Sequence, residues 1–280
     1  MRRAAALLLG AALALCSCTS DEKEPATEAT PTPTPSPTAV AAPPPPPAPA
    51  VGACYRLSYD EALAPTSSDA AIPCGKGHSS QTYAVGRLDL VANGHLLAVD
   101  STAVREQVAK RCPGRLAAYL GATPEQLRLS LLRPVWFTPT LEESDLGADW
   151  YRCDVIAVTG EGTLAKFDRD LAGALSGPAG RDEVAMCGTA QPGSAAFRHV
   201  LCREDHTWRA ISVLDLAARS KDGRYPGEQV VKEAGTSVCD DAARAIASDA
   251  LDYEWGYEWP TKDQWQAGQT YGRCWSPDPA

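Results

Sequence analysis

Between Ser101 and Leu120 apolar residues return every four positions, at Val104, Val108, Cys112, Leu116 and Leu120, which predicts one buried helix face. Pro113 falls inside that stretch and is expected to kink or divide it, because its ring removes an amide hydrogen and crowds the preceding turn. Segments rich in strand formers flank the helix: a short one over 52–57, another over Thr82–Leu90 and a third over Leu129–Thr138. Thr123-Pro124-Glu125 predicts a further short helix, with a threonine cap and proline in the first position. Over Asp252–Trp259 the period falls to two, as Tyr253, Trp255, Tyr257 and Trp259 alternate with Asp252, Glu254, Gly256 and Glu258. That alternation predicts a strand with one aromatic and one largely acidic face.

One pattern occurs twice. Pro139-Thr140 is followed by Glu143, Gly147, Arg152 and Cys153, and Pro260-Thr261 by Gln264, Gly268, Arg273 and Cys274, at identical spacings. Thr-x-x-Glu and Thr-x-x-Gln are capping boxes, and the glycine seven residues on predicts a left-handed stop after about two turns. Cys54, Cys74, Cys112 and Cys153 recur as Cys187, Cys202, Cys239 and Cys274, in the same order and at nearly constant offset. Cys74 precedes His78 by four residues, as Cys202 precedes His206. Such self-similarity predicts an internal repeat in which loops have changed length.

The N-terminus carries a different signal. Arg2-Arg3 precedes an apolar run from Ala4 to Leu15, too short to span a bilayer core of roughly 30 Å but of signal-peptide length. Leu15-Cys16-Ser17-Cys18 resembles a bacterial lipobox, which makes residues 1–17 the expected signal peptide and Cys18 the expected acylated residue. Residues 18–50 are expected to be a disordered stalk, since their Pro, Thr and Ala cannot build a core. The formal charge of −9 disfavours nucleic acid as a partner.

The eight remaining cysteines lack paired Cys-x-x-Cys spacing, and an exported chain is expected to oxidise them. The expected pairing is sequential: Cys54 with Cys74, Cys112 with Cys153, Cys187 with Cys202, and Cys239 with Cys274. Zinc held by Cys74 and His78 or by Cys202 and His206 is the weaker alternative, because thiolate ligands must stay reduced. No metal or other cofactor is expected.

Gly-x-Cys, then Cys-x-x-x-His before a strand, then Pro-Thr-x-x-x-x-x-x-Gly before a final cysteine together resemble the septum-formation-related domain of actinobacterial membrane proteins and lipoproteins. The resemblance covers about 51–280 and implies an envelope setting linked to division, with no established chemistry. This chain has Gly77-His78 and Asp205-His206 where Pro-His is frequent in the family. The expected fold is α+β, in two disulfide-stapled repeats of roughly β-β-α-β-α-β, over 51–160 and 183–280 with a connector at 161–182.

No catalytic signature is present in the sequence: there is no Gly-x-Ser-x-Gly or His-Glu-x-x-His, and His95 and His199 lie outside the shared frame. The chain is therefore read as an interaction or structural module on the outer face of the cytoplasmic membrane, held by a lipid anchor and meeting an envelope or division protein. An exported hydrolase with a site assembled from distant residues is one alternative. A cell-wall glycan binder using the aromatic strand is the other, with Trp255 and Trp259 as its ligand-stacking residues. Tyr253 and Tyr257 align with Leu132 and Trp136 and are expected in the core; Trp255 and Trp259 align with Pro134 and Thr138, and core is the favoured reading for the whole aromatic face.

Overall fold

The structure, a computed structural model, describes residues 43–160 and 162–278. The expected signal peptide, Cys18 and the expected stalk up to residue 42 lie outside the described residues.

The first half begins with strand β1 (Cys54–Tyr55), helix α1 (Tyr59–Leu63) and strand β2 (Ser80–Arg87), followed by a small hairpin of β3 (Val91–Ala92) and β4 (His95–Leu96). Helices α2 (Thr102–Arg111), α3 (Pro113–Leu120) and α4 (Pro124–Arg128) come next, then β5 (Leu132–Phe137), α5 (Leu141–Asp145), β6 (Trp150–Thr159) and the short β7 (Thr163–Leu164). The second half comprises α6 (Pro178–Val184), β8 (Met186–Gly188), β9 (His199–Leu201), β10 (Trp208–Asp215), α7 (Glu228–Ile246), β11 (Gly256–Glu258), α8 (Lys262–Gln266) and β12 (Tyr271–Pro277).

The chain is α+β, with four disulfides. Pro113 divides the predicted helix as expected: it opens α3, while Cys112 stays helical at φ −69° and ψ −51°, so all five apolar positions share one face and are fully buried. Thr140 and Thr261 each form a complete capping box, with Glu143 and Gln264. Gly147 and Gly268 take φ of 95° and 97°. Ala148 N–H then donates to Glu143 O and Gln269 N–H to Gln264 O, closing each helix with a Schellman motif.

The main sheets have matching orders. In the first, the antiparallel path is β1-β2-β6-β5; in the second, β8-β10-β12-β11, with β9 outside β8. Irregularities fall at corresponding places, between Thr82 and Ala84 on β2 and between Ala210 and Ser212 on β10. Cys54 pairs with Gln81 as Cys187 pairs with Arg209, and Trp136 faces Cys153 as Tyr257 faces Cys274. The first half also has the α1 segment and the β3–β4 hairpin, and a single bridge, Cys54 to Ile72, stands where β8 pairs with β9.

The described residues form one compact unit. Its main core runs from Val104, Val108, Leu116 and Leu120 through Phe167, Leu171 and Leu175 of the connecting segment to Trp208, Ala210 and Trp275 of the second sheet. Ser130 bridges to Ala185, so the backbone also joins the halves. Pro45, Pro46, Pro47 and Ala48, assigned to the stalk from sequence, line a hollow with Val85–Arg87 and Gly147–Trp150. Among the described residues, no helix is long and apolar enough to cross a membrane.

Candidate functional site

The cysteines are held by strands and helices that bring distant positions together. Cys112 at the α2–α3 junction meets Cys153 on β6, and Cys239 on α7 meets Cys274 on β12, so each bridge ties a helix to a central strand. Cys54 pairs with Cys74 and Cys187 with Cys202, and all four bonds follow the expected sequential order. Cys187, His206 and Asp278 lie close enough to hold a cation, but the Cys187 sulfur is bonded to Cys202 and is not a thiolate ligand.

Of the two histidines of the Cys-x-x-x-His pattern, His78 forms an isolated β-bridge with Phe167 and His206 lies in the loop before β10. His78 is fully buried, with Nδ1 at 2.8 Å from Cys74 O. His206 has Nδ1 at 2.7 Å from Glu204 O and Nε2 at 3.4 Å from Asp278. His199, outside the shared frame, stacks on Trp275 at 5.8 Å between ring centroids and lies 3.1 Å from Glu258.

Pairing in the aromatic segment is limited to β11, because only Gly256, Tyr257 and Glu258 match residues on β12. Tyr257 is core: its ring fits against Gly235 of α7 and Gly272 of β12, where a Cβ would come within 2.2 and 2.5 Å of the ring, and its hydroxyl donates to Val231 O at 2.9 Å. Tyr253 departs from the expected core position. Its hydroxyl is 2.6 Å from Asp240 and accepts from Arg244 Nε at 2.7 Å, a polar arrangement on the flank of α7. Trp255 and Trp259 are partly buried against Tyr257 and the Cys239–Cys274 region, and Lys232 Nζ sits 5.0 Å from the Trp259 ring centre.

Sequence reasoning missed the charges. Arg152 and Arg273 each precede a bridged cysteine on a central strand, and each is only 2% exposed. Arg152 lies between the rings of Tyr55 and Phe137, at 3.9 and 4.4 Å, with Nε 3.3 Å from Asp154. Asp154 accepts from Ser80 Oγ at 2.9 Å and Thr82 Oγ1 at 2.7 Å. Burial raises the Asp154 carboxyl, against the opposing pull of Arg152 and the two hydroxyls.

Arg273 donates from Nε to Arg128 O at 3.0 Å, from Nη1 to Glu258 at 3.2 Å and from Nη2 to the Tyr271 hydroxyl at 3.3 Å. Burial works to raise Glu258, but His199 and Arg273 outweigh it and hold the carboxyl at about 2. Arg133 of β5 lies beside this group and donates from Nη1 to Ser130 O and Leu132 O, at 2.9 and 2.7 Å. Arg128 stacks on the Tyr271 ring at 4.5 Å. This cluster joins residues from β5 to β12, so no local motif announces it; the one sequence signal is the repeated Arg-Cys pair.

A family model described as Septum formation matches residues 137–274. No curated protein and no solved structure matches the chain. The matched stretch begins at the last residue of β5, takes in both capped helices with their glycine stops and ends at the second Arg-Cys pair; over residues 137–274 the chain is similar to the septum-formation family.

Proposed function

We propose that this chain is a lipid-anchored, extracytoplasmic interaction module of the cell envelope, associated with septum formation and built from two related units. The observation that carries the reading is the set of four disulfides, each tying together segments of one half. Bonds of this kind persist in oxidising compartments and are rare in reducing ones. The lipobox-like Leu15-Cys16-Ser17-Cys18 and the family-model match over 137–274 support the same address and setting. The matching sheet orders support the duplication. The partner is an envelope or division protein.

A binding role suits the site better than hydrolysis. His78 is buried and bonded to a backbone carbonyl, whereas a general base must reach the proton it removes. The glycan reading is less favoured, because Lys232 already lies over the Trp259 ring.

Metabolic labelling with an alkyne fatty acid, followed by detergent phase separation, tests the address. The wild-type chain is expected to carry label and enter the detergent phase, and Cys18→Ala to do neither, since two acyl chains hold stably where one is marginal. Equal labelling of the variant would remove the anchor from the proposal.

A further inference from the structure

A cleft of about 450 Å³ opens where the halves meet, within the range of roughly 300 to 1,000 Å³ common to small-ligand sites. Leu127 and Pro134 of the first half, both partly exposed, supply an apolar wall, with the fully buried Leu116 and Leu132 behind them. Arg128 and Arg133 supply two cations, and Tyr271, Gln264 and Gln269 of the second half line the facing side.

These two cations differ from Arg273. Arg273 has Glu258 as counter-ion and three hydrogen-bond partners. Arg133 has the two backbone carbonyls named above, and Arg128 has the face of Tyr271; among the described residues neither forms an ion pair with a carboxylate. Tyr271 accepts from Arg273 and so keeps its hydroxyl hydrogen for another acceptor. Two guanidinium groups with no carboxylate in ion-pair contact, Arg133 also feeling Glu258 and Arg273 at longer range, make a local site for an anion in a partly apolar cleft of a chain with formal charge −9.

We infer that this cleft binds the C-terminal carboxylate of an extended peptide whose last side chain is apolar. The carboxylate pairs with the Arg128 and Arg133 guanidinium groups, the side chain lies against Leu127 and Pro134, and Gln264 Nε2 and Gln269 Oε1, the amide atoms left over from the Thr261 cap and the Tyr271 carbonyl contact, serve the peptide backbone. Inorganic anions would leave the wall unused. The inference rests on the cleft alone and is independent of the envelope assignment.

Calorimetric titration of the purified chain at low salt with N-acetyl-Ala-Leu, its C-terminal amide and inorganic phosphate tests the inference. The free acid is expected to bind and the amide to bind about tenfold more weakly or less, as loss of a charge-assisted hydrogen bond implies. Arg128→Gln should weaken the acid by about tenfold with no change in melting temperature, Arg133→Gln should weaken it by about tenfold, Arg133→Lys should retain part of the affinity, and Arg105→Gln should change nothing. If Arg133→Gln fails to fold, Arg128→Gln, whose guanidinium rests on a ring face, carries the comparison. Absence of binding, equal binding of acid and amide, or phosphate binding as tight as the peptide would each overturn the inference.

Discussion

The two halves share strand order, caps, bridges and a buried arginine, yet they cover one sheet face by different means. On β6, Tyr151, Cys153 and Val155 meet the α2–α3 face, while Arg152 and Asp154 point to the opposite side, where Tyr55, Phe137 and Ile156 pack. The first half thus covers that second face largely with its own β1–α1 segment and a buried ion pair. On β12 the corresponding second-face residues are Arg273 and Trp275, and Trp275 enters the core shared with the first half. Ser80, Thr82 and Asp154, polar in the first sheet, stand where Trp208, Ala210 and Trp275 stand in the second. A common frame fixes where side chains point, and what lies opposite determines whether they are polar or aromatic.

The arginines show the same divergence. Arg152 takes its carboxylate from the same strand two residues on, and its cross-strand neighbour is Phe137. Arg273 takes its carboxylate from its cross-strand neighbour Glu258, on the strand equivalent to β5. The buried cation is present in both halves, whereas its counter-ion sits at a different place in each.

The largest expected effect falls on the shared face. Trp275→Ala empties a fully buried site and should cost toward the upper end of about 3 to 5 kcal/mol in urea denaturation. Trp255→Ala, at a partly buried position, should cost clearly less. Equal losses would break the claim that the two tryptophans occupy different environments.

The ion pairs come next. Arg152→Met leaves Asp154 buried without its cation and should cost about 3 kcal/mol or more, while Arg152→Met combined with Asp154→Leu should recover much of that loss, because an apolar pair carries no desolvation cost. Acid titration of stability separates the halves further. The folded Glu258 carboxyl, at about 2, lies below its ordinary value of 4.5, so its contribution is full above 4.5 and is lost as pH falls toward 2. Asp154 is raised above its ordinary 3.8, so its linkage has the opposite sign: stability declines as pH rises from 3.8 through its folded value. Glu258→Gln should therefore flatten the acid limb of the melting-temperature profile; an unchanged limb would contradict the assignment of that linkage to Glu258.

The smallest effects should be equal. Gly147→Ala and Gly268→Ala each force a side chain into left-handed backbone and should cost about 1 to 2 kcal/mol by thermal denaturation. A difference much larger than their scatter would show that the two caps are not equivalent.

Much of the frame was legible in the sequence because it rests on local chemistry. Thr140 and Thr261 announce helix starts, Gly147 and Gly268 announce stops, and the Val104-to-Leu120 spacing marks one helix face even across Pro113. The aromatic alternation over 252–259 was misleading about Tyr253, since period two identifies faces but not where pairing ends, and Asp240 and Arg244 of α7 draw that hydroxyl to the surface. The charge cluster was illegible for a different reason. Arg128 and Arg133 of the first half meet His199, Glu258 and Arg273 of the second only through the packing of one half on the other, and no spacing within either half encodes that contact.

Native-state hydrogen exchange in increasing urea tests most directly whether the second sheet relies on the first for its cover. With Trp208, Ala210 and Trp275 in the common core, the amides of β2–β6 and of β10–β12 should converge on one opening free energy and one denaturant dependence, as a single cooperative unit requires. Opening of β10–β12 at distinctly lower urea, with β2–β6 still protected, would contradict the shared core and leave two independent domains.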